Sequence, residues 1–366
     1  MKVNVLAENL KKGLSIVARG ISSRVQLPIL SSVLLKASKE GLVLSATDLE
    51  ISIRVKVRAK VEEPGEIALP GKLFGELVAT LASGAIELRV EKQTLVIEGE
   101  GVRSEVVGQG AEEFPVLPEA TGKGLELSGD ELKQKLSMVT VSAAKDDTRP
   151  VLGGVLWVIE KEKIELVATD GYRLGIDSLK IDWDEENKKV IIPARALHEL
   201  SRIVDNAGEK ISLELDESKQ QVLWVVGEVE LSSRLIVGEF PPYLKAIPAA
   251  KTTTLRMDKD SLIDAVKRAS LFAKEGANVI RLEVSTDDIE VVAANDQRGT
   301  TKSKVNGTIE GEEVRVAFNA KYLIEYLNNV DDEEVIMETE GELKPAVFKP
   351  IKGNFIHIIM PVRINN

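Results

Sequence analysis

Three aspartates recur in a shared setting: Asp48 in ATDLE, Asp170 in ATDGY and Asp296 in ANDQR, spaced by 122 and 126 residues. Carboxylates so placed could hold a metal or move protons in acid–base catalysis. Their recurrence argues instead for a turn built three times, in which each Asp side chain accepts hydrogen bonds from nearby backbone amides. Other groups capable of chemistry are few. His198 follows Leu197 in a helical pattern and His357 alternates with Ile356 and Ile358 in a strand pattern, so both read as ordinary surface or edge residues rather than catalytic bases. The GQG at Gly108 lacks the third glycine of a dinucleotide fingerprint, because Glu113 holds that place. Gly122–Lys123 has Leu117 five residues before it and Gly124 after it, so it is no phosphate loop. Cysteine is absent, which removes disulfides, thiolate zinc sites, iron–sulfur clusters and thiol nucleophiles. The expectation is a protein that is not an enzyme, with no cofactor and no metal.

The elements that position the aspartates also repeat, in three units of about 120 residues. Each opens with an amphipathic helix pattern: Leu10, Leu14, Val17 and Ile21; Leu132, Leu136, Val139 and Ala143; Leu262, Val266, Ala269 and Ala273. Ser128 with Glu131 forms a capping-box pattern before the second, and Asp258 stands in a comparable place before the third. Short Val-, Ile- and Leu-rich strands follow, each set carrying one of the aspartates. A second helix begins at LPGKLFGEL, IPARALHEL and FNAKYLIEYL, with Lys72, Arg195 and Lys321 in equivalent places and Glu76, Glu199 and Glu325 four residues on. Helices are expected over 7–24, 71–83, 128–149, 194–207, 258–276 and 320–330. Linkers fall at Thr121–Gly124 and Ala249–Thr254. The domains read as 1–121, 125–248 and 252–366, each α+β, with two helices and about eight strands.

Composition fits a globular chain: 366 residues, 43% hydrophobic and 29% charged. No run approaches the roughly 18 to 20 apolar residues of a membrane span, and MKVNVLAENLKKG lacks the apolar core of a secretion signal. A soluble, cytoplasmic protein is expected. Only 14 residues are aromatic, a poor supply for stacking on single-stranded nucleic acid. The net charge of −11, taken alone, opposes binding to phosphates.

The chain resembles the bacterial DNA polymerase III beta subunit, or sliding clamp, family along its whole length. The resemblance rests on the three-fold repeat, LPIL (Leu27–Leu30), ATDGYRL (Ala168–Leu174), EFPPY (Glu239–Tyr243) and the C-terminal MPVRI (Met360–Ile364). It implies three tandem clamp domains, each with two helices on curved antiparallel sheet. Head-to-tail dimerisation would close them into a six-domain ring around duplex DNA. The implied role is non-catalytic: a processivity factor that tethers the replicative polymerase, and other replication and repair proteins carrying a clamp-binding motif. A clamp loader would place it on DNA.

The resemblance also assigns sites. DNA contacts are expected at Arg24 and Arg149, with Lys12, Lys72, Arg195, Lys267 and Lys321 as further candidates. Asp146 and Asp147 sit in the segment where family members touch DNA. A partner-peptide pocket between the second and third domains should include Leu152, Thr169, Gly171, Tyr172, Arg173 and Leu174, with Pro241 and Ala246. The third domain should add Asn319, Tyr322, Leu343, Pro345, Ile358, Ile359, Met360, Pro361, Val362 and Arg363. An apolar floor with an adaptable methionine and a few polar groups suits a short hydrophobic peptide. Leu271 and Phe272 occupy the position of family interface residues, which implies a place at the subunit boundary; adjacent apolar residues cannot both face one core stripe, so one needs another partner. Departures from the family pattern are Tyr172, where some members have histidine, Lys245, where an arginine occurs, and the extension Asn365–Asn366.

Charge is compatible with this arrangement. The stretch 7–24 carries +3 (Lys11, Lys12, Arg19 and Arg24 against Glu8) and the other five helical stretches balance to zero, which leaves −14 elsewhere. A ring held by topology needs no tight phosphate grip, and no base-specific readout is expected. Two alternatives stay open: a repeat scaffold that binds proteins without encircling DNA, and a clamp of the archaeal and eukaryotic kind, which the three-unit chain disfavours.

Overall fold

The structure is a computed structural model describing residues 1–22, 27–146, 148–183, 186–205, 208–274, 278–295, 297 and 299–363. Arg24, Asp147, Asp296 and Asn365–Asn366 therefore lie outside the described residues. Six α-helices form, the first of each repeat where the apolar spacing places it and the second at the recurring segment: α1 (Ala7–Val17), α2 (Gly71–Thr80), α3 (Gly129–Val139), α4 (Ala194–Ile203), α5 (Lys259–Ala273) and α6 (Ala320–Leu327). Helix α1 buries Ala7, Leu10, Gly13, Leu14 and Val17, and α5 buries Leu262, Ala265, Val266, Ala269 and Ala273. Asp258 caps α5, its carboxylate accepting from the Ser261 amide at 2.7 Å.

All six helices are shorter than the sequence suggests, α1 and α3 most of all. Helix α1 stops at Val17 and passes through a 3₁₀ turn, Ala18–Gly20. Gly20 lies so close to the Ala46 backbone that a Cβ there would sit 2.9 Å from the carbonyl oxygen, so the chain turns where packing against the sheet demands it. Helix α3 stops at Val139 before a 3₁₀ turn, Thr140–Ser142. The β-branched run Val139–Thr140–Val141 resists further helix, and Pro150 opens a separate 3₁₀ turn through Gly153. Among the described residues, no helix is long and apolar enough to cross a membrane.

The chain divides into two compact units, Met1–Asp130 with Glu199–Leu235, and Glu131–His198 with Ile236–Asn366. The first holds a five-stranded sheet ordered Ala59–Glu63, Lys2–Leu6, Ala85–Glu91, Thr94–Gly99, Val102–Val107. Its eight-stranded sheet runs Leu125–Ser128, Lys210–Asp216, Gln221–Val226, Val229–Arg234, Ile51–Val57, Gly41–Thr47, Ser32–Ser38, Gly65–Pro70. The second unit holds a nine-stranded sheet: Lys188–Pro193, Gly154–Glu160, Lys163–Thr169, Arg173–Lys180, Ile356–Ile359, Ala346–Pro350, Glu334–Thr339, Thr253–Asp258, Gly307–Gly311. Its four-stranded sheet is Gly299–Val305, Ile289–Asn295, Val279–Val284, Val314–Asn319. Neighbours pair antiparallel throughout, as in the ladder of Arg173–Lys180 on Lys163–Thr169.

Two strand ladders join successive repeats. Val229–Arg234 of the second repeat pairs with Ile51–Val57 of the first, from Val229↔Val55 to Ser233↔Ile51. Arg173–Lys180 of the second repeat pairs with Ile356–Ile359 of the third, from Arg173↔Ile359 to Ile176↔Ile356. The second repeat thus contributes strands to both large sheets. Helices cover the sheet faces: Gly13 of α1 lies so near the strand Ile51–Val57 that a Cβ would meet the Val57 side chain at 2.7 Å, while Ile51, Ile53, Val55 and Val57 alternate inward along that strand.

Candidate partner-binding site and basic helix faces

The recurring Asp builds a turn, and its geometry is the same in two repeats. Asp48 Oδ1 accepts from the amides of Glu50 (3.0 Å) and Ile51 (2.8 Å). Asp170 Oδ1 accepts from Tyr172 (2.9 Å) and Arg173 (3.0 Å). The preceding threonine completes each turn: Thr169 Oγ1 donates to the Arg173 carbonyl (2.6 Å) and accepts from Gly171 (3.0 Å), as Thr47 does with Ile51 and Leu49. The residue after each Asp takes positive φ, 77° at Leu49 and 90° at Gly171, where glycine bears no steric penalty.

The turn Thr169–Arg173 stands at the seam between second and third repeats, and most of the expected pocket residues gather around it. The Met360 amide donates to the Tyr172 carbonyl at 2.8 Å, and the Val362 amide to the Ala317 carbonyl at 2.8 Å. The C-terminal segment thus runs from the nine-stranded sheet to the end of the four-stranded one. Ala346 pairs with Ile359, which places Pro345 beside Met360. Leu174 and Ile358 join an apolar cluster with Leu156, Val158, Val167, Ile176, Ile191 and Val347; burying side chains of this kind contributes about 1.5–3 kcal/mol each. The segment from Ile236 to Ile247 straps across it, with Ile236, Phe240, Tyr243 and Ile247 packed on the cluster and the Tyr243 hydroxyl donating to Glu165. Burial and that carboxylate both push the Tyr243 phenol up.

Exposure sorts the expected residues. Tyr172, Met360, Leu343, Gly171, Pro241, Ala246 and Arg363 are exposed, and Tyr322, Pro345, Pro361 and Val362 half-buried. Leu152, Leu174, Ile358 and Ile359 are buried and form the packed layer beneath. Thr169 spends its hydroxyl inside the turn, and Asn319 caps α6 by accepting from the Lys321 amide at 2.9 Å. Arg173, expected in the pocket, is buried: its side chain is 2% exposed. Its Nε donates to Asp170 Oδ2 at 3.1 Å, its Nη1 lies 2.6 Å from Glu325 Oε2, and its guanidinium lies 4.4 Å from the Tyr322 ring centroid. The Glu325 contact is an ion pair without hydrogen-bond alignment at Nη1.

His357 departs from the sequence reading. It is fully buried, stacked at 5.1 Å on Tyr326 and at 6.0 Å on Phe355, with Nδ1 3.4 Å from the Ser142 hydroxyl. Burial, with the nearby Arg173 charge second, pushes its pKa down to about 3, so it stays a neutral core residue. His198 is exposed on α4. Among the described residues no group of three or more His, Asp or Glu side chains could hold a metal ion.

The expected DNA contacts are placed as follows. Lys12, Lys72, Arg195, Lys267 and Lys321 are exposed and lie on α1, α2, α4, α5 and α6 respectively. Within each unit two of these helices pack together, α1 with α2 and α5 with α6. Arg149 stands outside the helices. Its Nη2 donates to the Asp170 carbonyl at 3.0 Å, which joins it to the pocket turn. Basic residues not named among the expected DNA contacts appear near Lys12: Arg19, Lys56, Arg58 and Arg202 line the same cavity of about 650 Å³ in the first unit. Counted over the helices as they form, α1, α4 and α5 carry +1 each and the others zero, so the helices hold +3 and the rest of the −11 chain −14.

Leu271 is 58% exposed near the end of α5, and Phe272 is half-buried. Helix α5 packs on the strand Gly299–Val305, with Arg268 Nε donating to Ser303 Oγ at 3.3 Å. That strand and Val102–Val107 each end their sheets with one side unpaired among the described residues.

Comparison with known proteins decides the family. The profile for the DNA polymerase III beta subunit N-terminal domain matches residues 1–118, the central domain 126–242 and the C-terminal domain 244–363. The chain belongs to the DNA polymerase III beta subunit family. Within that family it is 32% identical over 359 residues to the beta sliding clamp of Staphylococcus epidermidis, with 94% of each chain covered. The sliding clamp structure from Bacillus subtilis matches with a TM-score of 0.94 at 29% identity over 100% of both chains. The beta subunit from Thermotoga maritima matches with a TM-score of 0.92 at 27% identity, again over 100% of both. Family and fold together establish the α+β architecture of three tandem clamp domains.

Proposed function

We propose that the protein is a DNA sliding clamp: two chains, each with domains at 1–121, 125–248 and 252–366, close head to tail around duplex DNA. One observation carries this reading. Among the described residues, strand pairing makes two repeat-to-repeat seams and leaves the components of a third unpaired. In the first seam Val229–Arg234, the last strand of its repeat, pairs with the strand after Asp48. In the second, Ile356–Ile359, also the last strand of its repeat, pairs with the strand after Asp170. The remaining last strand is Val102–Val107 and the remaining strand after the third Asp is Gly299–Val305. They lie in different repeats, the first and the third, so pairing each to a second copy makes four further strands' worth of edge disappear and closes six domains into a ring. Exposed Val102, Val107 and Leu271 gain cover in such a contact.

The ring reading gives the helices their role. Lys12, Lys72, Arg195, Lys267, Lys321 and Arg24 supply loose, sequence-indifferent contacts with phosphates, while the acidic remainder discourages DNA on the outside. The seam around Tyr172, Met360, Leu343 and Pro345 takes the short hydrophobic peptide of a polymerase or repair protein. The protein supplies tethering and no catalysis, and works in the cytoplasm with a clamp loader. Relatives named beta sliding clamps favour this reading over a scaffold that never meets DNA.

The test is retention. Loaded by a clamp loader with ATP, the protein should stay on nicked circular DNA and be lost when the circle is cut; equal retention on both forms rules out topological tethering. Deleting Met360–Asn366 should abolish binding of a polymerase-tail peptide and leave the dimer intact, and unchanged affinity would remove the pocket assignment.

A further inference from the structure

The repeat makes it possible to separate what the fold requires from what one seam adds. A glutamate stands at the same place in the second helix of each repeat, as Glu76, Glu199 and Glu325. Glu76 is exposed. Glu199 takes a 3.2 Å contact from Arg202 and a long 4.0 Å one from Arg19. Glu325 alone of the three reaches a buried arginine, Arg173. The residue three after the recurring Asp is Ile51 in the first repeat, Arg173 in the second and Gly299 in the third. An Arg–Glu pair needed to build a clamp domain would recur with the domain, and this one does not.

Its connections lead to the pocket. Glu325 Oε2 meets Arg173 Nη1, Arg173 Nε meets Asp170 Oδ2, and Asp170 Oδ1 holds the amides of Tyr172 and Arg173. The Tyr172 carbonyl in turn accepts from Met360. Tyr172 and Met360 are exposed apolar residues of the proposed peptide site; Glu325, on the half-buried side of α6, is not among its lining residues. The second oxygen of Glu325 takes the exposed Lys145 ammonium at 2.9 Å, which helps keep the carboxylate charged opposite Arg173. We propose that Glu325 is a positioning residue for the partner-peptide site: through Arg173 it fixes the 170–172 turn and the strand end at Met360. This rests on the peptide-site reading above.

The test compares Glu325→Gln, Lys145→Met, Arg173→Met and the paired Arg173→Met/Glu325→Leu in the full-length protein. Affinity is read with a fluorescent polymerase-tail peptide, and local order with amide hydrogen exchange. Glu325→Gln should weaken the peptide at least tenfold and speed exchange over 170–174 and 358–362, with the rest of the chain unchanged. Lys145→Met should stay within twofold in both readouts, because Arg173 keeps its carboxylate. The paired variant leaves no uncompensated buried charge, so it should fold and dimerise while binding peptide no more weakly than the poorer single variant. Parental-like binding by the paired variant, an effect of Lys145→Met equal to that of Glu325→Gln, or additive losses from Arg173 and Glu325 would each overturn the proposal. If the parental protein ignores the peptide, the peptide-site reading falls. Unchanged exchange over 170–174 in Glu325→Gln would overturn the positioning link itself.

Discussion

At the scale of single residues, the chemistry of this chain is spent on holding turns and seams. Asp170 accepts two amides and an arginine, and with those partners it has a structural occupation in place of a catalytic one. His357 gives a measurable pH dependence. Its folded pKa, about 3, lies below the ordinary value near 6.5, so the unfolded chain takes up a proton first as pH falls. Its contribution is full above about pH 6.5 and declines below that. Between pH 7 and 5 it should remove about 2 kcal/mol of stability. Thermal melts at the two pH values should therefore converge in His357→Phe relative to the parental protein; an unchanged pH response would show that the histidine is not buried neutral. At Gly171, φ of 90° and a Cβ position 3.3 Å from the Arg149 guanidinium predict that Gly171→Val costs about 1–3 kcal/mol in strain and weakens peptide binding. Equal melting and affinity would contradict the turn geometry.

At the scale of elements, strand pairing predicts a register for the subunit contact. The hairpins Gln221–Arg234 and Thr94–Val107 each close on a two-residue turn, with Val226↔Val229 and Gly99↔Val102 paired; Val102 is thus equivalent to Val229. The aspartates align Ser303 with Val55, so Val102 should face Ser303 and Ser104 should face Thr301 of the second copy. A chain without cysteine makes the check clean: Ser104→Cys/Thr301→Cys should form cross-linked dimers on oxidation, and pairing Ser104→Cys with Lys304→Cys should not. Opposed Cα atoms fall within disulfide reach, whereas a three-residue offset takes them beyond it. Leu271→Asp should shift the solution mass from dimer to monomer with the melting temperature little changed, since the residue is exposed in the isolated chain. A dimer that persists would move the interface elsewhere. Element boundaries were less legible in the sequence than element identity. Apolar spacing placed the first helix of each repeat and the recurring second segment placed the other, yet the ends of α1 and α3 depended on Gly20 meeting the Ala46 backbone and on a β-branched run that spacing alone continues as helix.

At the scale of the whole molecule, net charge is a poor guide and its distribution a better one. With +3 on the helices and −14 elsewhere, retention on nicked circles should respond weakly to salt. Raising salt from about 50 to 200 mM should cost less than about tenfold, against the roughly 10³–10⁵ lost by a protein making six to ten phosphate contacts. A steep loss would mean that the protein grips DNA by charge.

The sequence by itself determined whatever is local or periodic. It carried the three repeats, the Asp turn, whose partners lie two and three residues away, and the Asp258 cap. Only the tertiary structure decided which of those residues are open to a partner. Leu174 and Met360 are equally apolar as letters, but one lies buried in the cluster under the strap and the other is exposed. The strand Ile356–Ile359 is covered on both faces, so alternation carried no information about His357. Arg173, expected among the pocket residues, is buried because α6 brings Glu325 against it. Such outcomes depend on segments distant in sequence meeting in space, and no spacing rule along one segment encodes that meeting.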